Sequence, residues 1–306
     1  MNLFIKKSLF FSAPVLILIG IMEISLRNIP NDYSFKKNYL DQHSNQIETL
    51  FLGSSHAFYA VNPEFITSKS FNAAHIAQSL DYDLEILKNY STLTDKLEFI
   101  VVPIDYFSLF NRLETGVEKW RIKNYNIYYG LNKSKNLVEN SEILNGKWNE
   151  NIKRLDKFFR KNKSDISCNK VGWGTNNNSK NSKDLVETGK SAAERHHKKS
   201  ISFFEENLAV VNEIISFAKN KNAKLIFYTS PAYKTYTSQL NQEQLKTTIA
   251  TIQSIQKANS NISYFNFLND SSFTAQNFCD ADHLNEKGAE KFSKKMDSIL
   301  ISLKKL

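Results

Sequence analysis

A serine hydroxyl is a poor nucleophile at neutral pH. It becomes a good one when an imidazole takes its proton and a carboxylate fixes the tautomer of that imidazole. The 306-residue chain holds these three residue types in two stretches far apart in sequence, Gly53-Ser54-Ser55-His56 and Asp280-Ala281-Asp282-His283. Ser55 fits the nucleophile, His283 the base and Asp280 the carboxylate, because an Asp three residues before a His can meet the ring nitrogen turned away from the serine. Asp282, closer in sequence, is the substitute. The chemistry open to such a set is acyl transfer through a serine ester.

These residues can cooperate only if the elements around them converge. Ile47–Leu52 reads as a buried strand ending at Gly53, so Ser55 falls on the turn that follows it. Further strands are expected at Ser70–Ala73, Glu98–Ile104, Ala223–Thr229 and Ile262–Phe267. Between and after them, Leu80–Tyr90, Ile201–Lys219, Gln242–Ala258 and Glu286–Leu303 repeat apolar residues at spacings of three and four, as helices packed on a sheet do. This alternation predicts a parallel α/β sheet, whose ligands bind at the carboxyl ends of the strands. Both motifs then lie at one sheet edge.

The interval 108–199 breaks the rhythm. It joins an aromatic-rich piece, Trp120–Tyr129, to a helical pattern at Lys147–Phe159 and a polar tract, Asn176–Lys183, and reads as an insertion, either a lid or a surface excursion. Within it, Arg195-His196-His197-Lys198-Lys199 is either a patch facing an anion or a solvated charge run. After the fourth strand, Tyr233, Lys234 and Tyr236 offer aromatic faces and a cation that suit a sugar, or simply cap the core. His56 and His75 either orient substrate or are structural.

The stretches Gly53-Ser54-Ser55 and Asp280-Ala281-Asp282-His283-Leu284-Asn285-Glu286-Lys287-Gly288-Ala289 resemble the first and last blocks of the SGNH (GDSL-type) hydrolases, a likeness that spans residues 47–303. The resemblance implies a three-layer α/β/α, flavodoxin-like fold with a five-stranded parallel sheet, and an acyl-enzyme on Ser55 with His283 as base and Asp280 as its orienter. Ser54 stands where many members carry Asp. The Gly-Ser-Ser form is more similar to the membrane-anchored branch that includes the teichoic-acid D-alanine transfer protein and alginate-type O-acetyltransferases. For the oxyanion, the backbone N–H of Ser55 is one donor, and Asn72 and Ala74 lie where the family places its second block. The Gly-x-Asn block of the family is replaced by Pro103-Ile104-Asp105-Tyr106, which has no Asn and leaves Asp105 a structural role.

Lys6 and Lys7 precede an apolar run to Leu26, long enough to cross a bilayer at 1.5 Å per residue. With the lysines on the cytoplasmic side, the rest of the chain faces the periplasm or cell exterior. A cleaved signal peptide and a buried core helix are the alternatives. The expected organisation is an anchor at 1–27 and an SGNH-like domain at 28–306 with the insertion at 108–199. Forty Lys and Arg against 31 Asp and Glu give a net charge of +9, suiting anionic partners or merely solvated helix faces. Neither zinc-finger spacing, a basic stripe interleaved with aromatics nor a phosphate loop is present, so nucleic acid is not an expected partner. Cys168 and Cys279 could form one bridge or stay free. No cofactor or metal site is expected. The combined reading is an acyltransferase moving an O-acyl group, acetyl the expected one, on a cell-envelope polysaccharide. An esterase or deacetylase using the same residues, or a non-catalytic glycan-binding assembly module, is the alternative. By analogy, a multi-pass acyl-transporting membrane protein is the implied partner.

Overall fold

The computed structural model describes residues 2–91, 96–131, 133–197 and 203–305. Its centre is a five-stranded parallel sheet built from β1 (Thr49–Phe51), β2 (Ser70–Asn72), β3 (Phe99–Pro103), β4 (Lys224–Thr229) and β5 (Ile262–Asn266), in the order β2-β1-β3-β4-β5. All five strands fall within the expected segments, trimmed at their ends and most of all in the first. Every residue of β1, β2 and β3 is buried, as a parallel sheet covered on both faces requires.

The helices in chain order are α1 (Asn2–Arg27), α2 (Asp32–His43), α3 (Ser55–Ala60), α4 (Leu80–Asn89), α5 (Ile122–Asn124), α6 (Glu142–Asn145), α7 (Trp148–Phe159), α8 (Leu185–His196), α9 (Phe204–Asn220), α10 (Lys234–Thr237), α11 (Gln242–Ala258) and α12 (Glu286–Lys304). Helices cover both faces of the sheet, making this an α/β fold. A small antiparallel pair, β6 (Phe278–Asp280) and β7 (His283–Leu284), precedes α12. The expected helix starting at Ile201 is α9; Ile201 and Ser202 lie outside the described residues, as do Lys198 and Lys199 of the basic run.

The chain divides into two compact units, one of residues 1–37 with 117–166 and the other of 38–116 with 167–306. The larger holds the sheet. Its apolar centre runs through Phe51, Phe99, Val101, Ile226, Tyr228, Phe292 and Met296.

In the smaller unit, α1 is long and apolar enough to cross a membrane. Its end is tied down: the Glu23 carboxylate accepts from Ser141 Oγ at 2.9 Å and from the N–H groups of Glu142 and Ile143 at 3.0 Å each. Arg27 donates to Asn140 O at 2.6 Å, and Leu26 and Ile29 are fully covered. Deeper in this unit the Glu142 carboxylate receives Lys123, Arg154 and the Tyr128 hydroxyl. Burial works against that charge, but the two cations hold the Glu142 carboxyl below the ordinary range.

Candidate active site

The nucleophile turn is fixed by Gly53. Its φ of +114° lies outside the range of ordinary side chains, and a Cβ there would sit 2.3 Å from Pro103 Cγ. Gly53 N–H donates to Asp83 Oδ1 at 2.8 Å, Ser54 caps α3 by accepting from His56 N–H, and Ser55 occupies the first position of that helix. Because β1 lies between β2 and β3, Ser55 emerges at the switch point of the sheet, where open α/β folds bind their ligands.

The other half of the site is a tight hairpin. β6 and β7 pair Asp280 with His283 across a two-residue tip, Ala281-Asp282. The tip is clamped by Ala281 N–H donating to Thr188 Oγ1 and Ala281 O accepting from Tyr233 N–H. Asn285 then caps α12, accepting from the N–H groups of Lys287 and Gly288 while its own amide donates to Gln276 O and Phe278 O.

These two pieces bring Ser55 Oγ to 2.8 Å from His283 Nε2, and Asp280 Oδ1 to 2.9 Å from His283 Nδ1. One tautomer satisfies both contacts: Nδ1–H donates to the carboxylate and Nε2 accepts from the hydroxyl. Asp282 Oδ1 lies 3.6 Å from the same Nδ1, beyond hydrogen-bond reach. The side chains of His283 and Asp280 remain 15% and 14% exposed, so the set is open to an incoming molecule.

A network of histidines and carboxylates lies behind this set. His56 is buried, with Nδ1 2.9 Å from Asp105 Oδ2 and Nε2 3.5 Å from Asp282 Oδ2. Burial alone would lower its pKa, but the charges and hydrogen bonds of Asp105 and Asp282 raise it to about 10, so the ring is an imidazolium at neutral pH. Asp105 is further held by Ser230 N–H at 2.8 Å. His196 lies beside them, its ring 4.2 Å from that of Phe107 and its Nδ1 2.9 Å from Tyr236 Oη; burial, only partly offset by Asp282, pushes its pKa down to about 3. A charged and a neutral histidine therefore flank Asp282. His56, Asp282 and His283 place possible ligand atoms within 4.8 Å of one another, and both ring nitrogens of His56 face carboxylates, Asp105 and Asp282.

Several expectations need correction. Asn72 does not offer its amide to an oxyanion: both N–H groups are used by Ala57 O and Val61 O, and Ala74 N–H is taken by Asn72 Oδ1 at 3.0 Å. Ser55 N–H, in contrast, donates to none of the described residues. His56, enclosed between two carboxylates, is not free to orient a substrate. Tyr236 is 1% exposed with its hydroxyl on His196, so it presents no face to a sugar. Tyr233 is half-buried against Phe278, and Lys234 is exposed with its Nζ 6.0 Å from the Tyr233 ring centroid. His196, in the expected surface run, is half-buried, and Arg195 reaches to 3.8 Å from Asp282. Cys279 is a buried thiol outside any disulfide, so it forms no bridge to Cys168.

No family model and no curated protein matches the chain. Among solved structures, it is similar to a Streptococcus pneumonia protein described as a candidate platelet activating factor, at 13% identity and a TM-score of 0.45, covering 94% of this chain and 99% of that one. It is also similar to a candidate acylhydrolase from Bacteroides fragilis, at 10% identity and a TM-score of 0.42, covering 87% and 95%. The functional reading rests on the side chains of this chain.

Proposed function

We propose that the chain is an SGNH-type serine enzyme that transfers an O-acyl group on a cell-envelope polysaccharide. The observation that carries the reading is the unbroken line from Ser55 Oγ through the His283 ring to Asp280, at 2.8 and 2.9 Å. Ser55 Oγ attacks the acyl carbonyl and passes its proton to His283 Nε2, which then protonates the departing alcohol. The acyl group is left as an ester on Ser55. An acceptor hydroxyl then gives its proton to His283 and takes the acyl group, restoring Ser55. Ser55 N–H is the donor available to the developing oxyanion.

The transferase reading rests on α1, taken as an anchor that leaves the catalytic unit outside the cytoplasm, among the envelope polymers. Purified full-length protein given an activated acetyl ester, with and without envelope oligosaccharides, tests it. Acetylated oligosaccharide should accumulate, and Ser55→Ala should abolish both transfer and ester consumption. Turnover to acetate alone with every glycan offered would make the chain an esterase. Undiminished turnover by Ser55→Ala would remove the mechanism.

A further inference from the structure

Helix α7 is amphipathic in an unusual sense, because its apolar stripe faces outward. Trp148, Ile152, Leu155 and Phe159 recur at spacings of four, three and four and so share one side of the helix. Trp148, Ile152 and Phe159 are 57%, 46% and 59% exposed. The side of α7 that meets the rest of its unit is a different one, bearing buried Asn151 and Arg154, which pairs with Glu142 and Asp165. Leu137, Leu144 and Trp120 of the same unit are exposed as well. Large apolar side chains gathered on one exposed unit mark a surface that is covered in use.

Two observations say by what. First, α7 packs beside α1, the helix able to cross a membrane, whose end is clamped into this unit through Glu23 and Arg27. Second, residues 117–166 carry twelve Lys and Arg against six Asp and Glu, a net +6 out of the +9 of the whole chain. Lys153 on α7 and Arg160 just past its end lie to one side of the stripe. An outward Trp/Ile/Leu/Phe stripe with cations along one side, in a basic unit next to a helix able to cross a membrane, is the pattern of a helix lying in the headgroup region of an anionic bilayer.

We infer that α7 is a second membrane-contact element, which lays Trp148, Ile152, Leu155 and Phe159 into the surface of an anionic phospholipid leaflet. The inference rests on the membrane-anchored reading above, and its test separates the two. The full chain carrying Trp120→Phe and Trp173→Phe, which leaves Trp148 as the sole tryptophan, is reconstituted into phosphatidylcholine/phosphatidylglycerol vesicles with brominated acyl chains. If the double substitution unfolds the chain, the same reading is taken as the difference between the parent and Trp148→Phe. Trp148 emission should fall at least about twofold against unbrominated vesicles, as for an interfacial helix, and be shielded from aqueous iodide. A chain that floats with the vesicles while Trp148 stays open to iodide and indifferent to bromine would overturn the inference, the result expected of a face covered by another protein. A chain that does not float with vesicles would overturn the anchor reading and this inference with it.

Discussion

Asp280 and Asp282 compete for one ring nitrogen of His283, at 2.9 and 3.6 Å. The nearer one makes the hydrogen bond, while Asp282 is occupied by the His56 imidazolium. Asp280→Ala should therefore lower kcat/KM by roughly 10²- to 10⁴-fold, and adding Asp282→Asn should lower it further. Equal losses in the single and double variants, measured with an activated ester, would show that Asp282 holds nothing in reserve. Asp83 gives a pH-dependent expectation. Burial raises its carboxyl to about 7, against the bonds from Gln78 and Gly53. The native state then holds a proton that the unfolded chain has already released, so stability falls as pH rises from the ordinary carboxylate range towards 7. Asp83→Asn keeps an oxygen for both donors and removes the titration. Thermal melts should show the variant gaining on the parent across that window, and a constant difference would contradict the assignment. At this scale Ser55, Asp280 and His283 were legible because each sits in a compact local motif. The His56–Asp105 and His196–Tyr236 contacts were not, because their partners are 49 and 40 residues apart and only folding decides which histidine is enclosed.

The strands and long helices follow the apolar periodicity closely, and α11 keeps the expected limits, Gln242–Ala258. What periodicity could not supply was the β6–β7 hairpin, whose strands are too short to show a pattern, or the use made of Asn72. An Asn at the carboxyl end of a strand looks available to a ligand; here its amide ties the end of β2 to α3 and its C-cap through Ala57 O and Val61 O. The element that most directly aims His283 is the capped start of α12. Asn285→Ala removes two capping bonds and two amide bonds, and should cost about 2 kcal/mol in denaturant unfolding. It should also slow acylation, since the hairpin is held from that end. Unfolding at the parental midpoint would show that the cap carries little of this load.

For the molecule as a whole, sequence organisation anticipated a long apolar N-terminal segment, a sheet-based catalytic unit and a break in the α/β pattern. It could not anticipate that residues 117–166 group with 1–37, because that grouping depends on tertiary bonds such as those from the Glu23 carboxylate to the backbone at 142 and 143. The central claim concerns the larger unit alone: Ser55 carries the acyl group. Intact-mass measurement and peptide mapping after brief incubation of the full chain with a serine-reactive fluorophosphonate tests it most directly. One adduct should form on Ser55, be absent from Ser55→Ala, and form far more slowly in His283→Ala. A folded chain that stays unlabelled, or carries its label on another residue with Ser55 untouched, would contradict the account.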